Sequence, residues 1–181
     1  MSDINQLITK TTKILQNQYQ KSSIDKYLLV HTSKQKIYLV ENNNVCFESF
    51  VSTSKNGLGN EDSSFKTPVG LHSVKEKIGD EQPKYTIFKA RQPTKLKYDL
   101  KNIPSEDLIT SRIIWLNGME KGINSGGNVD TYSRYIYIHG TPHEKEIGTP
   151  VSHGCIRMKN NEIIDLFQRV EIGTPVIIID D

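Results

Sequence analysis

Ser152-His153-Gly154-Cys155-Ile156-Arg157 decides how this chain reads, together with Tyr137-Ile138-His139-Gly140-Thr141, in which His139 precedes Cys155 by sixteen residues. One cysteine is thus bracketed by two histidines and an arginine. A thiol is a weak nucleophile until it loses its proton, and its free pKa of about 8.5 leaves little thiolate at neutral pH without imidazole or cationic neighbours. Cys155 has such neighbours within reach. Arg134-Tyr135-Ile136-Tyr137-Ile138 alternates and is rich in aromatic and β-branched residues, so it predicts a strand that ends on His139. Gly140 and Gly154 let backbone approach closely beside both reactive side chains. A packed cysteine and a satisfied strand-end histidine are the bland alternative, but the grouping has the format of a nucleophile and its base.

At these residues the chain resembles the L,D-transpeptidase catalytic domain family, also called the YkuD domain, whose signature is a strand-borne His-Gly followed by Ser-His-Gly-Cys-x-Arg or Asn. Further stretches are similar in the same order: Tyr27 to Val40 as an opening hairpin, Phe50-Val51-Ser52-Thr53-Ser54 as a third strand, Thr67-Pro68-Val69-Gly70-Leu71-His72 as a Thr-Pro turn, and Gly173 to Ile179 as a closing strand. The resemblance spans Tyr27 to Asp180 and implies a YkuD-like β-sandwich or partly closed barrel.

The residues independently predict a mainly β fold with flanking helices. Lys36 to Val40, Val45 to Ser52, Leu71 to Val74, Tyr85 to Phe88, Ile113 to Leu116, Tyr135 to His139 and Val176 to Ile179 are strand candidates separated by Gly, Pro, Asn and Asp. Ile4, Leu7, Ile8, Thr11, Ile14, Leu15 and Tyr19 recur at helical spacing, so residues 1–22 form an amphipathic helical segment expected to pack on the domain formed by 23–181. Asn160 or Asn161 is placed to cap a helix from Glu162 to Val170, with Ile163, Ile164, Phe167 and Val170 on one face. Residues 57–64 read as a flexible loop and about 75–112 as an elaborated insertion.

Composition fits one domain of 181 residues, 35% hydrophobic and 24% charged. A net charge of +2, from 23 basic and 21 acidic residues, gives no argument for nucleic acid. The absence of an apolar run of about 18 residues argues against a transmembrane segment. Cys46 lies in a strand pattern, and pairing it with Cys155 would consume the reactive thiol, so both are expected to be free. Met1-Ser2-Asp3-Ile4-Asn5 lacks the positive charge and apolar run of a secretory leader, which predicts a cytoplasmic location as encoded, or the periplasm and cell envelope if a leader has been removed. His139, His143, His153 and Cys155 have the ligand chemistry of a zinc site, but Pro142 prevents the i, i+4 helical arrangement of His139 and His143. No metal and no cofactor is predicted.

The resemblance implies roles. Cys155 attacks a peptide carbonyl and forms a thioester, and His139 moves the proton, oriented by the carbonyl of Gly140. Amides at Gly154 and Cys155 serve a developing oxyanion. His153 either shapes the field at the thiolate or holds the turn. Arg157 either binds a substrate carboxylate or pins the loop, with the pin favoured. Ser152, Tyr137 and Arg134 complete the candidate substrate-binding set, and the basic run Lys84, Lys89, Arg91, Lys95, Lys97 and Lys101 reads first as a solvated face. The implied partner is a peptidoglycan stem peptide or muropeptide, cut before the terminal D-alanine of a tetrapeptide. Water as acceptor gives an L,D-carboxypeptidase of muropeptide recycling, which the missing leader favours; an amine gives crosslinks, the role of an exported enzyme. A non-catalytic stem-peptide-binding module is the remaining alternative.

Overall fold

A computed structural model describes residues 3–20 and 22–180. Met1, Ser2 and Lys21 of the expected 1–22 segment, and Asp181, lie outside the described residues. Helix α1 (Asp3–Tyr19) leads into β1 (Lys26–His31), β2 (Lys36–Glu41), β3 (Asn44–Phe50), β4 (Gly70–Ile78), β5 (Thr86–Lys89), β6 (Gln92–Lys97), β7 (Ile109–Gly118), β8 (Tyr137–Gly140) and β9 (Ile156–Met158). Helix α2 (Asn160–Arg169) and β10 (Pro175–Ile179) complete the chain.

All ten strands belong to one sheet of order β3-β2-β1-β10-β4-β7-β5-β6, from which β8 branches by pairing with β7 and carries β9 on its far side. The mainly β class with flanking helices is therefore as expected, but the sheet does not close into a barrel. Beyond β9 the gap is crossed by isolated bridges, one in which Ser52 and Arg157 exchange backbone bonds of 2.9 Å and one between Ser54 and Ser152. Edge strand β6 is polar and exposed, with Lys95 and Lys97 along it, a composition that discourages further strand pairing.

Strand alternation sorts side chains to two faces. Leu28 and Val30 of β1, Ile37 and Leu39 of β2, Ile138 of β8, and Ile156 and Met158 of β9 enter the main core, which α2 covers with Ile163, Leu166, Phe167 and Val170. Leu166 takes the place that periodicity assigns to Ile164, which is half-buried. On the other face of β1 and β2, Tyr27, Leu29, Tyr38 and Val40 pack with Leu7, Ile8 and Leu15 of α1. The Tyr27 hydroxyl lies 2.8 Å from Thr11 Oγ1 and 3.1 Å from Thr12 Oγ1, so it is satisfied within this seam, whereas the buried Tyr19 hydroxyl has no partner among the described residues.

The expected cap of α2 is corrected. Asn160 is the first helical residue, and its amide donates to Glu144 Oε1 at 2.8 Å. The Asn160 side chain is instead fully buried, where Oδ1 accepts from Thr110 (2.7 Å) and Ser111 (2.5 Å) and Nδ2 donates to Thr141 O (2.8 Å). This hub ties α2 to β7 and to the residue that follows β8.

Candidate active site

Strands β8 and β9 run parallel in the register Ile138 to Ile156, His139 to Arg157 and Gly140 to Met158. Because the isoleucines enter the main core, Tyr137, His139, Cys155 and Arg157 emerge together on the opposite face. A third apolar cluster of Phe88, Ile113, Trp115 and Tyr137 receives Cys155 there. The two signature stretches, sixteen residues apart in sequence, are thus neighbouring strands.

The half-buried Cys155 Sγ donates to Tyr135 O and accepts from the Tyr137 amide, both at 3.4 Å. His139 Nδ1 is 2.7 Å from Gly140 O. A carbonyl can only accept, so Nδ1 carries the proton and Nε2 keeps its lone pair. Burial dominates both ionisations: it pulls His139 down to about 4 and pushes the Cys155 thiol up to about 11. The resting pair is therefore a neutral thiol and a neutral imidazole.

The turn before β9 is held from several directions. Ser152 Oγ donates to Cys155 O (2.5 Å) and accepts from the Gly154 amide (3.2 Å), so that amide is already engaged. Thr67 Oγ1 donates to Gly154 O at 3.0 Å while accepting from the Ser54 amide, and the Ser152 amide donates to Thr53 O. The Ser-Thr-Ser and Thr-Pro stretches are the walls of this turn. Gly154 has φ +125°, outside the usual range of L side chains, and a Cβ on Gly140 would lie 2.5 Å from Thr110 O.

Arg157 is buried, and its guanidinium pairs closely with Asp107, whose Oδ2 also lies 3.1 Å from His153 Nδ1. The exposed His153 thus meets a carboxylate of the segment between β6 and β7. Arg134 donates to Asn60 O at 2.9 Å and Lys66 O at 2.7 Å, pinning the loop that composition reads as flexible. His143 Nε2 is 3.1 Å from Glu106 O. No group of three or more metal-ligating side chains converges among the described residues.

Three participants escape sequence reasoning. Asp107 sits in an unremarkable polar loop. Trp115 stacks on Tyr132 at 4.1 Å and meets Tyr137 edge-on at 5.3 Å, making an aromatic wall beside Cys155. Arg91, which reads as one of many surface cations, lies over Trp115 and Tyr135.

The family model of the L,D-transpeptidase catalytic domain matches residues 25–178, and the chain belongs to this family. YqjB of Bacillus subtilis, which bears the name of an L,D-transpeptidase, is 30% identical over 157 residues, covering 87% of this chain and 73% of YqjB. Among solved structures, an Ldtfm-avibactam carbamoyl enzyme superposes with a TM-score of 0.55 at 19% identity, over 87% of this chain and 50% of that one. L,D-transpeptidase 3 of Mycobacterium tuberculosis, solved with a faropenem-derived adduct, gives 0.54 at 18% identity, over 89% and 62% respectively. The chain therefore spans between half and two thirds of these two solved chains, and at this identity the likeness establishes the fold. No helix among the described residues is long and apolar enough to cross a membrane.

Proposed function

We propose that the chain is a cysteine acyl-enzyme that cuts the L,D peptide bond before the terminal D-alanine of a peptidoglycan tetrapeptide stem. The observation that carries this reading is the placement of Cys155 and His139 on the same face of β8 and the start of β9, with Nδ1 of His139 held by Gly140 O. Family membership supports the substrate class.

Because both groups rest neutral, attack and proton transfer are coupled. Nε2 of His139 takes the thiol proton as Sγ adds to the carbonyl carbon, then delivers it to the leaving D-alanine nitrogen as the C–N bond breaks. The product is a thioester on Cys155. Water or an amine then adds to that thioester, losing a proton through His139 to the departing sulfur. The Gly154 amide is engaged by Ser152 Oγ, so we assign the Cys155 amide as the donor to the developing oxyanion. His153 and Arg157, both paired with Asp107, are assigned as supports of the turn.

The raised thiol favours one competing reading, a stem-peptide-binding module whose Cys155 is inert. Mass spectrometry of the protein with a disaccharide-tetrapeptide, with and without a D-amino acid, separates the cases. Loss of D-alanine alone identifies a carboxypeptidase, and exchange or dimer products identify a transpeptidase. Equal product with Cys155→Ala, or none with either protein, would sink the acyl-enzyme.

A further inference from the structure

The β5–β6 hairpin turns through Ala90 and Arg91 between Lys89 and Gln92, which are paired across the strands. Both turn residues have positive φ, 47° and 67°, as a two-residue type I′ turn requires. Asn-Gly is the residue pair that suits such a turn, whereas Ala-Arg is strained in it. Turn formation therefore does not account for the arginine.

Its surroundings do. The guanidinium carbon lies 4.9 Å from the centre of the Tyr135 ring and 5.3 Å from that of Trp115, and the Tyr137 hydroxyl is close enough to favour the charged guanidinium. Tyr135 and Tyr137 are the two residues whose backbone touches Cys155 Sγ. Tyr135 itself has φ +57° and is half exposed, a second strained residue at the same place. Among the described residues no carboxylate pairs with Arg91. The neighbouring cations differ: Arg157 is committed to Asp107, and Arg134 to loop carbonyls. One planar donor fork is thus held on an aromatic shelf beside the thiol with its charge uncompensated.

We infer that Arg91 is a specificity residue that binds a carboxylate of the acyl donor, bringing it against the aromatic shelf beside Cys155. The inference rests on the proposed acyl-enzyme reading. Stacking fixes the plane of the guanidinium, and a fork fixed in plane suits two-point capture of a carboxylate. A tetrapeptide stem offers that group at its C-terminus and, when its third residue is a diamino diacid, on that side chain.

The test is calorimetric binding to the Cys155→Ala protein, beside turnover by the wild type, using four donors: the free tetrapeptide, its C-terminal amide, its third-residue side-chain amide, and the double amide. Arg91→Gln and Arg91→Gly are compared in each background. Glycine suits a φ of +67°, so loss with Arg91→Gly does not reflect a damaged turn. Both variants are expected to weaken binding and raise KM for the free donor by about tenfold, the scale of one charge-assisted contact at an exposed site. That loss should vanish for the singly amidated donor that lacks the relevant group, which identifies the carboxylate. An equal loss with all four donors, or no loss with any, would overturn the inference while leaving the acyl-enzyme reading intact. A wild type that neither binds nor converts any donor would overturn both.

Discussion

Arg157, two residues beyond Cys155, is paired with Asp107, which lies fifty residues earlier on the segment between β6 and β7. The arginine is buried, its Nε has no partner, and the next carboxylate, on Glu146, is 3.9 Å away. Asp107 is thus the main counter-charge for a cation under the active-site turn.

Asp107→Asn removes that charge while preserving shape. Removing one partner of a buried pair costs about 3–5 kcal/mol, but Asp107 is partly exposed, so a loss of about 1–2 kcal/mol is expected in urea unfolding. Peptide turnover should fall with it. Unchanged stability would mean that Glu146 or water serves Arg157 equally well.

Acid should destabilise the fold through two histidines. His72, fully buried between Gly70 O and Thr131 Oγ1, and His139 are both pulled by burial to about 4, against 6.5 for the free side chain. The unfolded chain therefore binds more protons between these values, so stability is full above pH 6.5 and falls as pH drops toward 4. Each histidine contributes about 3 kcal/mol to this loss. Urea unfolding across that window should show a slope approaching two protons, and His72→Gln should remove about half of it.

A thiol pushed up to about 11 sets a distinct alkylation profile. Iodoacetamide labelling of Cys155 should rise about tenfold per pH unit from 7 to 9 with no plateau below 10, where an ordinary cysteine levels off. A plateau near neutrality would reveal a preformed thiolate–imidazolium pair instead.

Gly140→Ala tests the close contact between β8 and β7. Its Cβ would lie 2.5 Å from Thr110 O and 2.8 Å from Asn160 Oδ1, atoms fixed by backbone pairing and by the buried hub. Overpacking of this kind costs about 1–3 kcal/mol, and the shift should fall on His139 as well. Thermal unfolding read with peptide turnover checks both.

Asn160→Ala strips the hub itself, leaving the Thr110 and Ser111 hydroxyls and the Thr141 carbonyl buried without their partner. Unsatisfied buried groups cost about 1–3 kcal/mol each, so a total loss of at least about 3 kcal/mol is expected by urea unfolding. A smaller loss would show that water replaces the amide.

The legible parts of the chain are those whose information is local. Strand alternation around Tyr137 and His139, the glycine turn at Cys155 and the periodicity of α1 and α2 all lie within a dozen residues of sequence. β9 is only three residues long, too short to show a period, and the polar β6 looks like loop because it is an exposed edge. The residues around 57–64 read as flexible, yet Arg134 holds them from more than seventy residues away. Asn160 looks like a cap because Asn favours that position, whereas burial against Thr110 and Ser111 makes it a connector. Asp107 and Arg91 were hidden for the same reason: their meaning lies in partners brought near by the sheet.

The parallel register of β8 and β9 also bears on how such a chain can change. His139 and Arg157 are opposed by the ladder, and the intervening connection sets none of that spacing. A slip of either strand by one residue would turn its reactive side chain into the core and away from the other, so the ladder is intolerant. The connection is tolerant only where it braces neither the turn nor α2, so insertions are expected to be accepted where they spare Glu144, which takes the Asn160 amide, and Glu146, which accepts from Ser52. Chains of this kind can thus acquire new outer loops, and with them new molecular neighbours, without reinventing their chemistry.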